Sequence, residues 1–238
     1  MLEVLLSVFL VGVVGTTIGG LISLFLKKYN VSVGMLYGFA GGIMLTMVLS
    51  DLVIDAVKSS SIVFTLSFLL VGYLLIYFVE LFIDKRKNKI LTLANIKNEK
   101  LASFVIILSI ALHNFPEGMI IGASSTVTLS IGYILMIALH NIPEGMAIAL
   151  PLINRGVKPL KAIGICCLTG IPTVIGGVVS FYLGAVSPLL ISFCLSLASG
   201  CMLYVVFNEL LPLTYNDKNF SFSIIIGVIL GLLIIFSL

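Results

Sequence analysis

The sequence predicts an all-α integral membrane protein with eight transmembrane helices and 3+2+3 inverted-repeat pseudo-symmetry. Composition is the first reason: 60% of the 238 residues are hydrophobic and only 10% are charged, whereas about 25% of the residues in a soluble domain are charged. The second reason is that apolar runs recur along the whole chain, each long enough to cross about 30 Å of hydrocarbon as a helix of about 20 residues. Two internal repeats, described below, are the third reason.

The apolar runs define the expected elements, which together form a single transmembrane domain over residues 1–238. The first run carries Glu3 in place of the basic segment of a signal peptide, so we expect it to be retained. One sizeable connection, residues 84–100, separates the third span from the fourth. We expect the spans at about 2–26, 33–57, 61–83, 101–124, 130–153, 159–182, 187–213 and 221–238.

Basic residues predict the orientation of these spans, because Lys and Arg near the end of a span stay on the cytoplasmic side. If successive spans alternate in direction, twelve of the thirteen basic residues fall on one side and only Lys58 falls on the other. We therefore expect both termini outside and the 84–100 connection in the cytoplasm. The net charge of +3 comes from these loops, so we expect no nucleic-acid partner. The short loops favour a prokaryotic inner membrane.

The first internal repeat joins the second span to the seventh. At an offset of 158 positions, AGGIML at 40–45 matches ASGCML at 198–203, and in the same register Asp51 meets Glu209. The second repeat, at an offset of 27, places HNFPEGM at 113–119 on HNIPEGM at 140–146. The paired spans cross in opposite directions, so both repeats are inverted, which is typical of many secondary transporters. Pairing span two with seven, and four with five, predicts the 3+2+3 arrangement.

The second repeat contains both histidines of the chain, His113 and His140, together with Glu117 and Glu144. All four are expected near the middle of a span, where insertion of an ionisable side chain costs about 2.5–3.5 kcal/mol, so such groups face a partner or a water-filled path. Residues four apart share one face of a helix. Each His–Glu pair can thus present an imidazole and a carboxylate to one ion. The alternative is structural: each pair hydrogen-bonds to itself and pins two helices together.

Prolines within the repeat add backbone acceptors to these side chains. Pro116 and Pro143 remove the amides that would bond to the carbonyls of Leu112 and Leu139, and such irregular backbone is tolerated where it lines a cavity. Imidazole nitrogen with carboxylate and carbonyl oxygen suits zinc, and to a lesser extent ferrous iron, manganese or cadmium. The pattern does not select one metal.

Two asparagines are further candidate ligands, whereas the cysteines of the chain are not. Asn114 and Asn141 follow the two histidines and can add weak oxygen ligands. The motif contains no thiolate, which fits a protein that must release its cargo, because Cys-rich zinc sites tend to be closed and structural. We expect the four cysteines to be packing residues, since they lie in apolar spans without CxxC spacing: Cys166, Cys167, Cys194 and Cys201.

Tandem HNxPEG motifs in consecutive spans of an eight-span protein resemble the ZIP family of zinc- and iron-regulated metal transporters, over essentially the full chain. The resemblance implies metal uptake toward the cytoplasm. Family members often use an additional Glu in span six for a second ion, and this chain has Thr173 there, so a second tightly held ion is not implied. Residues 84–100 lack the histidines that many relatives carry, so we expect no metal sensing there. The implied mid-membrane site consists of His113, Asn114, Glu117, His140, Asn141 and Glu144.

Acidic residues elsewhere in the spans are candidates for secondary metal contacts. Asp51 and Asp55, four apart near the outer end of span two, fit either an acidic entry that concentrates cations or an ordinary solvated helix end. Asn208 and Glu209, near the cytoplasmic end of span seven, are expected to be an exit-side contact. We expect Glu80 to reach the interface beside a basic cluster and to have no role in transport.

Three function classes are compatible with these residues, and a carrier or facilitator for divalent metal leads them. The chain has no GxxxxGK[ST] signature for ATP, so energy comes from a gradient or a coupled ion, or the flow is passive. An intramembrane zinc metalloenzyme is one alternative, but the HExxH spacing is absent and we expect no enzyme. A metal-selective channel is the other. We expect no prosthetic group, with metal ions and the bilayer as partners and a homodimer left open.

Overall fold

The computed structural model describes residues 1–91, 99–123, 131–183, 187–214 and 220–237. Within these ranges every regular element is a helix, which confirms the predicted all-α class. We label the helices in chain order: α1 Leu2–Lys28, α2 Val33–Ser59, α3 Ile62–Leu91, α4 Glu99–Ala123, α5 Ile131–Asn154, α6 Pro159–Leu183, α7 Pro188–Thr214 and α8 Phe220–Ser237.

Five of the described helices are long and apolar enough to cross a membrane. They are α1, α2, α6, α7 and the Ile62–Phe82 part of α3. Two shorter apolar stretches, Ile106–Gly122 in α4 and Ser221–Ser237 in α8, have the same character. An integral membrane protein is therefore the class that the described residues support.

Two helices extend into the connection predicted at 84–100. Helix α3 continues to Leu91 and α4 begins at Glu99, whereas the apolar part of α3 ends at Phe82, next to the expected span end at 83. Residues 92–98 lie outside the described residues. The physical reason is that a charged run marks the edge of the hydrocarbon, whereas Lys, Arg and Glu are good helix formers in water and let the helix continue.

Reciprocal glycine contacts join the helices in four pairs. In each pair, a Cβ added at one glycine would collide with a backbone carbonyl of the partner helix, and the partner's glycine stands in the same relation to the first helix. Small residues at such crossings let helix backbones approach closely in lipid. The pairs are α1 with α5 (Gly19 and Gly145), α4 with α6 (Gly118 and Gly176), α2 with α8 (Gly42 and Gly227) and α3 with α7 (Gly72 and Gly200).

Three of the described helices contain a π-helical segment, a form that is rare overall and frequent at functional sites. The segments are Phe9–Val14 in α1, Val48–Leu52 in α2 and Val205–Leu210 in α7. Asp51 lies in the second and Glu209 in the third. The two acids that match in the sequence repeat therefore lie in the same kind of turn.

Candidate metal site

The two HNxPEG motifs lie on neighbouring helices, with His113 and Glu117 on α4 and His140 and Glu144 on α5. All four side chains are buried, with exposed fractions of 0 to 2%. Each lies away from the ends of its helix, where the sequence predicted it. The protein thus buries four ionisable groups at one crossing.

These four side chains pair across the two helices. His113 Nε2 lies 2.9 Å from Glu144 Oε1, and His140 Nε2 lies 2.9 Å from Glu117 Oε1. The spacing of four residues predicted that His113 and Glu117 would act together on one ion, but each histidine contacts the glutamate of the opposite helix. The ligand atoms of His113, Glu117 and Glu144 nevertheless lie within 4.8 Å of one another.

A backbone contact determines the tautomer of the first imidazole. His113 Nδ1 lies 3.1 Å from the carbonyl oxygen of Ser109. Because a carbonyl can only accept, Nδ1 carries the proton, and in the neutral ring Nε2 holds the lone pair that a metal needs. A backbone partner of this kind orients many metal-binding histidines.

The asparagines are anchored through their amide nitrogens. Asn114 Nδ2 donates to the carbonyl of Thr169 at 2.8 Å, and Asn141 Nδ2 donates to the carbonyl of Val11 at 3.0 Å. Both carbonyls belong to irregular backbone, since Thr169 precedes the break at Gly170 in α6 and Val11 lies in the π segment of α1. Each bond fixes the amide plane, which determines where its oxygen lies.

Several buried polar atoms of the two motifs, and one of Thr173 on α6, have no hydrogen-bond partner among the described residues. A buried oxygen without a partner is unusual in a native protein and calls for an explanation such as an absent ion, and a carboxylate oxygen is the most costly to leave so. A zinc ion accepts nitrogen and oxygen ligands of these kinds. The atoms are Glu117 Oε2, Glu144 Oε2, Asn114 Oδ1, Asn141 Oδ1, His140 Nδ1 and Thr173 Oγ1.

The structure explains sterically why each motif has a glycine after its glutamate. A Cβ at Gly118 would collide with the carbonyl of Thr173, and one at Gly145 would collide with the carbonyl of Thr16. Each motif helix is therefore pressed against a neighbour directly after its glutamate. In the sequence, the only indication of this close packing was that the same glycine occurs in both motifs.

Asp51 and Asp55, which the sequence placed together, have different surroundings. Asp55 forms an exposed ion pair with Lys58, with 2.8 Å between Oδ1 and Nζ. Asp51 is half-buried, and its carboxylate lies within electrostatic reach of Asp55 and Lys58 as well as of His140.

Asn208 and Glu209 lie in the π segment of α7 and are not members of the described ligand cluster. Asn208 Nδ2 lies 2.7 Å from the hydroxyl of Tyr73 and 3.1 Å from the carbonyl of Tyr204. Glu209 is buried, with 6% of its surface exposed. Glu80, expected to reach toward the interface, is half-buried and accepts a hydrogen bond from the hydroxyl of Tyr204.

Comparison with known proteins gives a consistent set of relatives. The profile of the family described as ZIP Zinc transporter matches residues 92–238. Zinc transporter ZupT of Chlorobium chlorochromatii is 30% identical, over 92% of this chain and 90% of that protein. Zinc transporter ZupT of an Enterobacter species is 30% identical, over 87% and 86%. Zinc transporter ZTP29 of Arabidopsis thaliana is 29% identical, over 90% and 85%.

Proposed function

The chain belongs to the family of ZIP zinc transporters, and from that premise we propose that it carries divalent metal ions, zinc first, across a membrane toward the cytoplasm. The observation that carries the proposal is the buried cluster in which the ligand atoms of His113, Glu117 and Glu144 lie within 4.8 Å of one another. Two carboxylates at this point neutralise a dication that imidazoles alone would leave uncompensated.

The substrate site that we propose comprises all six polar residues of the two motifs. Each histidine forms one 2.9 Å contact with the glutamate facing it. A metal ion replaces these hydrogen bonds, taking the imidazole lone pair and the carboxylate oxygens and displacing the protons between them. The two asparagine oxygens complete the shell. Their amide planes are already fixed by the hydrogen bonds that the amide nitrogens donate to backbone carbonyls. The residues are His113, Asn114, Glu117, His140, Asn141 and Glu144.

Thr173 bears on how many ions the site holds. Its hydroxyl oxygen is buried beside Gly12, and the side chain offers one neutral oxygen where a carboxylate would offer a charge. We therefore propose a single tightly held ion per chain. Iron, manganese and cadmium are further candidate substrates. They rank after zinc because the donor set suits them less well.

We propose eight spans in one domain over 1–238, with both termini outside and the connection between α3 and α4 in the cytoplasm of a prokaryotic cell. The helix contacts support the 3+2+3 pseudo-symmetry. Helix α2 meets α8 through Gly42, and α7 meets α3 through Gly200. These two glycines occupy matching positions in the first sequence repeat. The α4–α6 and α5–α1 pairs likewise meet through Gly118 and Gly145. Such repeats are typical of secondary transporters.

The secondary contacts have separate roles in this proposal. Asp51 acts on the entry side, since it lies near the proposed outer end of α2 and within electrostatic reach of His140. Asp55 is a solvated residue paired with Lys58. Asn208 and Glu209 act on the exit side. Membership in a transporter family argues against the metalloenzyme, and saturable flux would separate the carrier from a channel.

Zinc uptake into proteoliposomes tests the proposal directly. Replacing both glutamates, Glu117→Ala with Glu144→Ala, should abolish uptake because no carboxylate would remain to neutralise the ion. The matched control is Glu3→Ala, which changes an exposed glutamate near the start of α1. Circular dichroism and size-exclusion chromatography verify folded, inserted protein. Uptake at the wild-type rate by the folded double variant would refute the site.

A further inference from the structure

A polar bridge joins α3 to α7 outside the proposed metal site. It consists of Tyr73 and Glu80 on α3 and Tyr204 and Asn208 on α7. The hydroxyl of Tyr204 donates to the Glu80 carboxylate, and Asn208 Nδ2 donates to the hydroxyl of Tyr73 at 2.7 Å. In both hydrogen bonds the donor lies on α7 and the acceptor lies on α3.

Apolar packing shields one side of this bridge. Tyr204 is 3% exposed and packs with Ile76 and Cys201, which are also buried. The rings of Tyr73 and Tyr204 meet edge to face, with 5.0 Å between their centroids. Hydrogen bonds to a charged acceptor strengthen in such surroundings, so the Tyr204–Glu80 bond is a strong constraint on α7.

Helix adhesion does not account for the bridge. Gly72 of α3 and Gly200 of α7 already bring the two backbones into direct contact. Gly200 lies one turn before Tyr204. Burying part of a carboxylate at the same crossing costs free energy that an apolar pair would not. A specific task for the carboxylate is therefore the better account.

The position of the bridge on α7 indicates that task. Tyr204 is the last α-helical residue before the π segment Val205–Leu210, and Asn208 lies inside that segment. The bridge thus holds the π segment at its start and again at its fourth residue. A π segment replaces the bonding pattern of the α-helix with i→i+5 backbone bonds in one wider turn, and side-chain bonds at that turn help to fix the direction in which Glu209 leaves it.

We propose that Glu80 is a positioning residue for metal release: through Tyr204 it holds the π segment of α7 in the register that presents Glu209 to the departing ion. This inference rests on the proposed function. Glu80 acts as a hydrogen-bond acceptor, and it need not contact the ion. Release follows binding at the central site, so loss of the bridge lowers the maximal rate of uptake without raising the half-saturating zinc concentration.

Variants of Glu80 separate an acceptor role from a charge or ligand role. Glu80→Gln keeps an oxygen that accepts from Tyr204, and Glu80→Leu removes it. Hydrogen bonds to charged groups contribute about 1.5–3 kcal/mol, so Glu80→Leu and Tyr204→Phe should each lower the maximal rate about tenfold or more. Glu80→Gln should stay within about threefold of wild type, since a neutral bond remains. Tyr182→Phe is the control, an exposed tyrosine of α6.

Two further measurements complete the test. The double variant Glu80→Leu with Tyr204→Phe should be no slower than either single variant, because both remove the same bond. Hydrogen–deuterium exchange of Val205–Leu210 in nanodiscs should rise in the Leu and Phe variants and not in the Gln variant. Glutamine as damaging as leucine, or additive losses in the double variant, would overturn the inference.

Failure of the proposed function has a different signature. A wild-type protein that moves no zinc refutes the transport assignment, whatever the exchange data show. Wild-type transport with unchanged rates in Glu80→Leu and Tyr204→Phe refutes the positioning role alone. Isothermal titration of zinc should give the wild-type affinity in every bridge variant, and a loss of affinity would also count against the positioning role.

Discussion

Four buried ionisable side chains pair across the α4–α5 crossing. Each histidine contacts a glutamate of the opposite helix at 2.9 Å, which offsets the cost of placing these groups between apolar helices. One oxygen of each carboxylate stays unpaired among the described residues. The cluster thus combines paired imidazoles with free carboxylate oxygens, which are the atoms that the proposed metal site would use.

Zinc affinity should fall on acidification, because zinc binds neutral imidazole and ionised carboxylate and so competes with protons for the same atoms. Each displaced proton weakens apparent binding about tenfold per pH unit once its group is protonated in the free protein. Isothermal titration between about pH 7 and about pH 5 should show affinity lowest at the acid end. His140→Ala should bind more weakly and show a shallower pH dependence. Affinity that does not change with pH would contradict histidine ligation.

Asp51 and Asp55 give a matched comparison of two acids on one helix. Asp51→Asn should raise the half-saturating zinc concentration about tenfold, because it removes a charge that draws cations toward His140. Asp55→Asn should change it by less than about twofold, since an exposed ion pair contributes little. Uptake measured over a range of zinc concentrations decides the matter. Equal effects of the two substitutions would show that the aspartates act as one entry patch.

Irregular backbone and glycine contacts govern the site at the level of the helices. The π segment of α1 supplies the carbonyl that anchors Asn141, and the break in α6 supplies the one that anchors Asn114. Glycines in both motifs let α1 and α6 come close enough for these bonds. Helix shape thus determines the orientation of the two asparagine amides, and the apolar periodicity of the chain does not predict it.

Gly118→Ala should destabilise the protein by about 1–3 kcal/mol, because the added methyl group would overlap the carbonyl of Thr173 and force α4 away from α6. Gly164→Ala is the control on α6, where an added Cβ meets nothing within 4 Å, and it should be neutral or slightly stabilising. Thermal unfolding in detergent, followed by loss of monodisperse protein, measures both. Equal melting temperatures would contradict the close packing of α4 on α6.

The pairing of helices organises the molecule as a whole. The glycines that match in the two sequence repeats lie at matching crossings, so each half of the chain uses the same contact scheme. Asp51 and Glu209, the acids at the end of the first repeat, both lie in π segments. A repeated contact scheme of this kind is typical of secondary transporters, and it is the scaffold on which the proposed entry and exit roles of these two acids rest.

Cysteine labelling tests the orientation of the whole chain. A single cysteine at position 90, in a variant with the four native cysteines replaced by alanine or serine, should react with a membrane-impermeant maleimide only after the membrane is opened. The physical reason is the twelve-to-one distribution of basic residues, which keeps the α3–α4 connection on the cytoplasmic side. A cysteine at position 2 is the control and should react in intact cells. Reversed labelling would overturn the proposed topology.

The sequence by itself determined the membrane class, the all-helical fold and the family, because hydropathy, span length and the HNxPEG spacing are local properties of the chain. It also identified the candidate ligands, whose role in transport stays a prediction. Tertiary structure decided which histidine contacts which glutamate, how the asparagines are anchored, that Asp51 differs from Asp55, and that Glu80 bonds to Tyr204. These depend on contacts between helices distant in the chain. Backbone approach at glycines and departures from regular helix determine such contacts, and neither is visible in apolar periodicity.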